Sequence, residues 1–167
     1  MLEHHRATTE RANATIAARD ETLAVLVGGS IAHGFETPAS DVDVMIVVSD
    51  DDYRRRLAAG DIMYSETESA TYEGGYVDGK YISVDFIRTV AERGNEPSRF
   101  AFEGAIVASS RLPGIDELVA AAAQYPTAEK SDKLAKFFAQ LEYWHWLAGA
   151  FDTELAWMDG KAAISDL

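Results

Sequence analysis

Cysteine is absent from all 167 residues. Disulfides and thiolate metal sites are therefore excluded. Basic residues are scarce, with 15 Lys and Arg against 28 Asp and Glu, a formal net charge of −13. A phosphate backbone wants a cationic face, so a broadly basic surface is excluded and a nucleic-acid partner is not expected. Long hydrophobic runs are missing too, and no stretch reaches the ~20 apolar residues of a membrane span. Met1 to Arg11 holds two His, two Arg and two Glu with no apolar core behind it, which is not a signal peptide. The expectation is a cytoplasmic protein without a membrane partner.

What is present is ordinary for a globular chain: 47% apolar, 10% aromatic and 26% charged residues. Disorder from low hydrophobicity is excluded. The length suits one domain with a small satellite, and such a chain buries roughly 70% of its unfolded surface.

Leu2 to Asp20, Ala-rich and free of Gly and Pro, predicts a surface helix docking through Ala12, Ile16 and Ala17. His4 and His5 are expected on its solvent side. Thr22 to Val27 predicts a buried strand, and Ser30 to Gly34 a single helical turn. Thr37 to Ser40 reads as a loop, and Asp41 to Ser49 as a second buried strand. Ser49 followed by three Asp predicts a helix start, stopped at Gly60. Ile62 to Tyr72 holds weaker strand candidates. Asp78-Gly79 reads as a hairpin turn before an alternating strand, Tyr81 to Ile87. Short helices are expected at Arg88 to Arg93 and Pro97 to Phe102, and a last strand at Ala105 to Ser109.

The tail is helical. Ile115 to Ala123 predicts one helix. From Thr127 the residues Leu134, Phe137, Phe138, Leu141, Trp144, Leu147 and Ala148 fall at i, i+3, i+4, i+7 spacing, which predicts a longer one. Gly149 is expected to interrupt it, with helix or loop from Phe151 to Leu167. His145 is assigned to packing or solvent, and the neighbouring aromatics to core and rim. The division is expected near Ser110 to Gly114: residues 1–110 a sheet-bearing domain, 111–167 a helical region. The end carries no Gly or Pro stop, which suits a C-terminal extension beyond it.

The chemistry concentrates in Val27-Gly28-Gly29-Ser30 and Ser40-Asp41-Val42-Asp43-Val44. Two glycines at a strand end let the backbone approach a ligand closely. The amide and hydroxyl of Ser30, opening a helical turn, suit a phosphate oxygen. Asp41 and Asp43, two apart on a strand, point to one face. Like charges so placed call for a cation between them, and Mg²⁺ takes oxygen ligands while keeping positions open for phosphates. Asp85 is the candidate third carboxylate, placed on the strand Tyr81 to Ile87 with Ile82, Val84 and Phe86 facing the core. Taken singly, each feature has a plainer reading as a turn, a cap or a solvated strand end.

Together, Gly28-Gly29-Ser30, Ser40-Asp41-Val42-Asp43 and a later strand with Asp85 resemble the nucleotidyltransferase superfamily, the fold shared by DNA polymerase β and kanamycin-type nucleotidyltransferases. The resemblance covers residues 20 to 90. It implies an α+β fold with a mixed sheet flanked by helices and followed by a helical region. It implies that Gly29 and Ser30 hold the phosphates of a nucleoside triphosphate, ATP being the first candidate. Asp41, Asp43 and Asp85 would be catalytic and would ligate two Mg²⁺ ions, with Mn²⁺ as a substitute. The activity implied is transfer of a nucleoside monophosphate to a hydroxyl of a small molecule, such as an aminoglycoside, or of a protein. Relatives often carry Arg or Tyr where His33 stands. Lys80, Arg88 and Arg54 to Arg56 are the nearby cations for the triphosphate. The alternative reading is a weak or inactive member of the fold, an antitoxin-like binding module in a two-protein system.

Residues Glu36 to Asp85 hold 12 acidic and 4 basic groups, a balance of −8. Such a field disfavours polyanions and attracts a cationic acceptor.

Overall fold

The computed structural model describes residues 1–151. The chain forms two compact units, Met1–Gln124 and Tyr125–Leu167. The expected helix or loop from Phe151 to Leu167 lies almost wholly outside the described residues.

The first unit is built on one mixed five-stranded sheet. Its strands are β1 (Ala24–Val27), β2 (Val42–Val48), β3 (Met63–Glu66), β4 (Val77–Ser83) and β5 (Ile106–Ser110), in the order β3-β4-β2-β1-β5. β1 runs antiparallel to β2 and β5, β4 parallel to β2, and β3 antiparallel to β4. The helices are α1 (Glu3–Ala17), α2 (Gly29–His33), α3 (Asp50–Ala59), α4 (Val84–Arg93), α5 (Glu96–Phe100), α6 (Ile115–Ala123) and α7 (Lys130–Phe151). This is the α+β arrangement, a mixed sheet flanked by helices and followed by helix, that the resemblance implies.

β2 is apolar on both faces because both are covered. Val42, Val44, Ile46 and Val48 meet Ala12 and Ile16 of α1 in one core. Met45 and Val47 turn the other way, toward Ile87, Val90, Phe102, Ile115, Val119 and Ala122. These last three belong to α6, so the first unit extends past the composition break at Ser110 to Gly114.

Local signals stop the elements. The Ser49 hydroxyl accepts the Asp52 N–H at 3.1 Å, and Gly60 closes α3 in the left-handed region. Two expectations fail in the stretch 78–87. Asp78 and Gly79 form no turn; both lie inside β4, in parallel register with Asp43 and Val44. A Cβ at Gly79 would collide with the Val44 carbonyl, so glycine here permits close strand approach. The strand then ends at Ser83, whose hydroxyl accepts the Phe86 N–H at 3.0 Å and starts α4. Capping by Ser83, with Asp85 at the positive end of the helix, overrides the alternating pattern.

In the second unit, α7 follows a single 3-10 turn, Thr127–Glu129, and continues through Gly149 to Phe151. Glycine costs about 1 kcal/mol within a helix but does not forbid it.

Candidate active site

β1 delivers the chain into Gly28 and the one-and-a-half turns of α2. Gly28 N–H donates to the Asp43 carbonyl at 3.0 Å, which ties this turn to β2. Gly29 has φ +60°, and a Cβ there would fall on the Asp43 carboxylate. Only glycine permits this approach. The Ser30 hydroxyl is buried without a hydrogen-bond partner. A buried hydroxyl left unpaired is costly.

The loop before β2 is pinned from below. His5 Nε2 donates to the Ser40 carbonyl at 3.0 Å and His4 Nε2 to the Pro38 carbonyl at 3.1 Å. The Tyr72 hydroxyl also donates to Ser40 O. His5 is fully buried, which corrects the expectation of a solvent-facing residue. Burial, aided by the neighbouring charge of His4, pushes its imidazole below its ordinary value. The helix bearing these two histidines therefore positions Asp41. Nothing in the local pattern of Leu2 to Asp20 signals a contact 34 or 35 residues away.

Asp41 precedes β2, and Asp43 lies within it, half-buried. Asp43 stands directly beside Asp78 of β4. Burial, then the charges of Asp41 and Asp78, hold the Asp43 carboxyl above its ordinary value. The Tyr76 hydroxyl, hydrogen-bonded to Asp41 and surrounded by these carboxylates, is likewise raised. Among the described residues, no Lys or Arg forms an ion pair with Asp41, Asp43 or Asp78.

Asp85 does not join them. It sits in the first turn of α4, exposed, and its N–H donates to Asp50 Oδ1 at 3.0 Å. It lines a different cleft with Asp50, Tyr53 and Ser83. Ser83, two residues before it, lies five residues along β4 from Asp78, about 16 Å. The carboxylate-bearing residue that the sheet places beside Asp43 is instead Asp78. The signal available in the sequence was Val77-Asp78-Gly79-Lys80-Tyr81, a charged and glycine-bearing strand that reads more readily as a turn.

A cleft of about 200 Å³ opens beside Asp43, lined among others by Gly28, Gly29, His33, Lys80 and Phe100. Lys80 follows Asp78 by two residues and shares its face of the sheet. Of the arginines expected nearby, Arg54 pairs with Asp51, Arg55 with Asp52, and Arg56 with Glu21 and Asp61, while Arg88 is exposed on α4.

Among the described residues, no three His, Asp or Glu side chains already converge on one metal position. No described helix is long and apolar enough to cross a membrane.

No curated protein matches the chain in sequence. In structure it is similar to a nucleotidyltransferase-like protein from Exiguobacterium sibiricum 255-15, at 13% identity and a TM-score of 0.45. That similarity covers 97% of this chain and 54% of that one, so this chain spans about half its length. The nucleotidyltransferase domain family matches residues 12–108, a stretch that contains the Gly28-to-Ser30 turn and all three aspartates, and the chain belongs to this family.

Proposed function

We propose that the chain transfers a nucleoside monophosphate from a magnesium-bound nucleoside triphosphate to a hydroxyl of a small-molecule or protein acceptor. The observation that carries this reading is the half-buried Asp43, in register beside Asp78, its carboxylate occupying the space a Cβ at Gly29 would need.

The donor set fits magnesium. Three carboxylates offer hard oxygens, repel one another, and among the described residues form no ion pair with a Lys or Arg. Asp41, Asp43 and Asp78 would hold two ions, with manganese as a substitute. Bound there, the metal supplies charge neutralisation for the phosphates and acidifies the acceptor hydroxyl.

The remaining work falls to the chain. The Ser30 hydroxyl donates to a phosphate oxygen, and Gly29 lets the triphosphate lie close to Asp43. Lys80 balances charge on the departing pyrophosphate. Asp78 takes the role expected of Asp85, accepting the proton of the attacking hydroxyl. The acceptor oxygen bonds to the α-phosphorus as the bond to pyrophosphate breaks.

The acidic balance of the segment favours a cationic acceptor such as an aminoglycoside, and a protein hydroxyl fits the same chemistry. The binding-module alternative draws on a lack of cations for the triphosphate, and the position of Lys80 weighs against it. Mass spectrometry of candidate acceptors after incubation with Mg²⁺ and ATP or GTP tests the proposal. A mass increase of one nucleoside monophosphate, with pyrophosphate release, supports it. Failure to bind any nucleoside triphosphate in Mg²⁺ or Mn²⁺ overturns it.

A further inference from the structure

The cleft beside Asp43 has an aromatic wall that phosphate and metal chemistry do not use. Phe100, at the end of α5, lines this cleft and remains 49% exposed. Its ring lies nearly parallel to His33, with centroids 4.3 Å apart and planes at 21°. Phe35, 72% exposed, is also nearly parallel to His33, at 5.9 Å and 13°. Large aromatic rings left in solvent at the mouth of a cleft mark a binding surface.

The rings are anchored. His33 Nδ1 is 2.7 Å from the Gly29 carbonyl. A carbonyl oxygen only accepts, so Nδ1 carries the hydrogen, and the bond holds the ring against the Gly28-to-Ser30 turn. Phe100 is fixed from its own side. Asn95 caps α5 by accepting the Ser98 N–H at 3.0 Å. The adjacent Arg99 is 3% exposed and donates to the carbonyls of Gly94 at 3.0 Å and Gln124 at 2.5 Å. With Arg99 locked inward, its neighbour Phe100 stays outward. Gly104, at φ +68°, packs its backbone against the Ala32 carbonyl, where a Cβ would come within 2.8 Å. The aromatic wall is thus held at a fixed height above the turn expected to bind phosphates.

We infer that Phe100, supported by His33, is the stacking surface for the base of the nucleotide. This rests on the reading of the cleft as a triphosphate site. Apart from Asp43, Lys80 and the His33 ring, which the metal, the phosphates and Phe100 engage in this reading, the cleft is lined by Met45, Val44, Ala101 and glycines, which offer no hydrogen-bonding side chain to a base edge. Recognition by a π-face alone favours larger ring systems. Purine triphosphates bind several-fold tighter than pyrimidine ones, and ATP and GTP differ little.

The test is calorimetric titration of Mg·ATP, Mg·GTP, Mg·CTP and Mg·tripolyphosphate into wild type, Phe100→Ala and Phe100→Trp. The inference predicts that Phe100→Ala weakens ATP roughly 10-fold, leaves tripolyphosphate within two-fold, and that Phe100→Trp restores ATP binding. Equal weakening of ATP and tripolyphosphate, or none, overturns it. Wild-type protein that binds tripolyphosphate as tightly as ATP overturns the stacking surface and leaves the phosphate reading standing. Wild-type protein that binds neither overturns both.

Discussion

Asp43 on β2 and Asp78 on β4 are direct neighbours in a parallel pair of strands, so their carboxylates share one face of the sheet. The chain places like charges side by side where a salt bridge or an apolar pair would stabilise the fold. Such an arrangement opposes folding, and its consequences can be measured on the protein alone.

The first concerns stability and pH. The folded-state pKa of Asp43 is raised above its ordinary 3.8, so the folded protein disfavours the charged form. The penalty is absent below that pH, grows as pH rises through the folded value, and is full at neutral pH. Asp43→Asn should therefore raise Tm at pH 7, by about 2–4 °C for each kcal/mol relieved. Near pH 3.5 the two proteins should melt together. Mg²⁺ should raise the Tm of wild type and not that of the variant, which thermal melts at both pH values check.

The second concerns the glycine turn. Gly29→Ala places a Cβ at φ +60° and against the Asp43 carboxylate, whereas Gly34→Ala, at φ +71°, meets nothing within 4 Å. The backbone strain common to both is roughly 1–2 kcal/mol. Denaturant unfolding should show Gly29→Ala as the more destabilised of the two, and only that variant should lose Mg·ATP binding.

The third concerns the triphosphate cation. Lys80→Gln should weaken Mg·ATP about 10-fold, the loss of one charge-assisted contact. It should also flatten the dependence of binding on salt. Arg54→Gln, which removes the partner of Asp51, should leave both unchanged.

The fourth concerns the scaffold behind the aromatic wall. Arg99 is buried and bonds backbone carbonyls at the ends of two connections. Arg99→Leu leaves those carbonyls without donors, a loss of about 2–3 kcal/mol. Thermal unfolding should show Tm lowered by roughly 5–10 °C.

Much of this was legible in the sequence because it is local. The buried strands around Val25 and Ile46, the cap at Ser49, the stop at Gly60 and the pairing of Gly28-Gly29-Ser30 with Asp41 and Asp43 all follow from short-range pattern. The third carboxylate did not. Tyr81 to Ile87 alternates like a strand, yet Ser83 caps a helix within it, and two signals of different period overlap in seven residues. Asp78-Gly79 carries turn chemistry, and only the approach of β4 to Val44 explains its use in a strand. The burial of His5 depends on Ser40, a contact between distant residues that no local pattern encodes.

The central claim is that Asp78, with Asp41 and Asp43, forms the metal–triphosphate site. Calorimetric titration of Mg·ATP into wild type, Asp78→Asn and Asp85→Asn tests it most directly. The account predicts binding to wild type and to Asp85→Asn with affinities within a few-fold, and a loss of at least about 100-fold in Asp78→Asn. Binding retained in Asp78→Asn and lost in Asp85→Asn would contradict it.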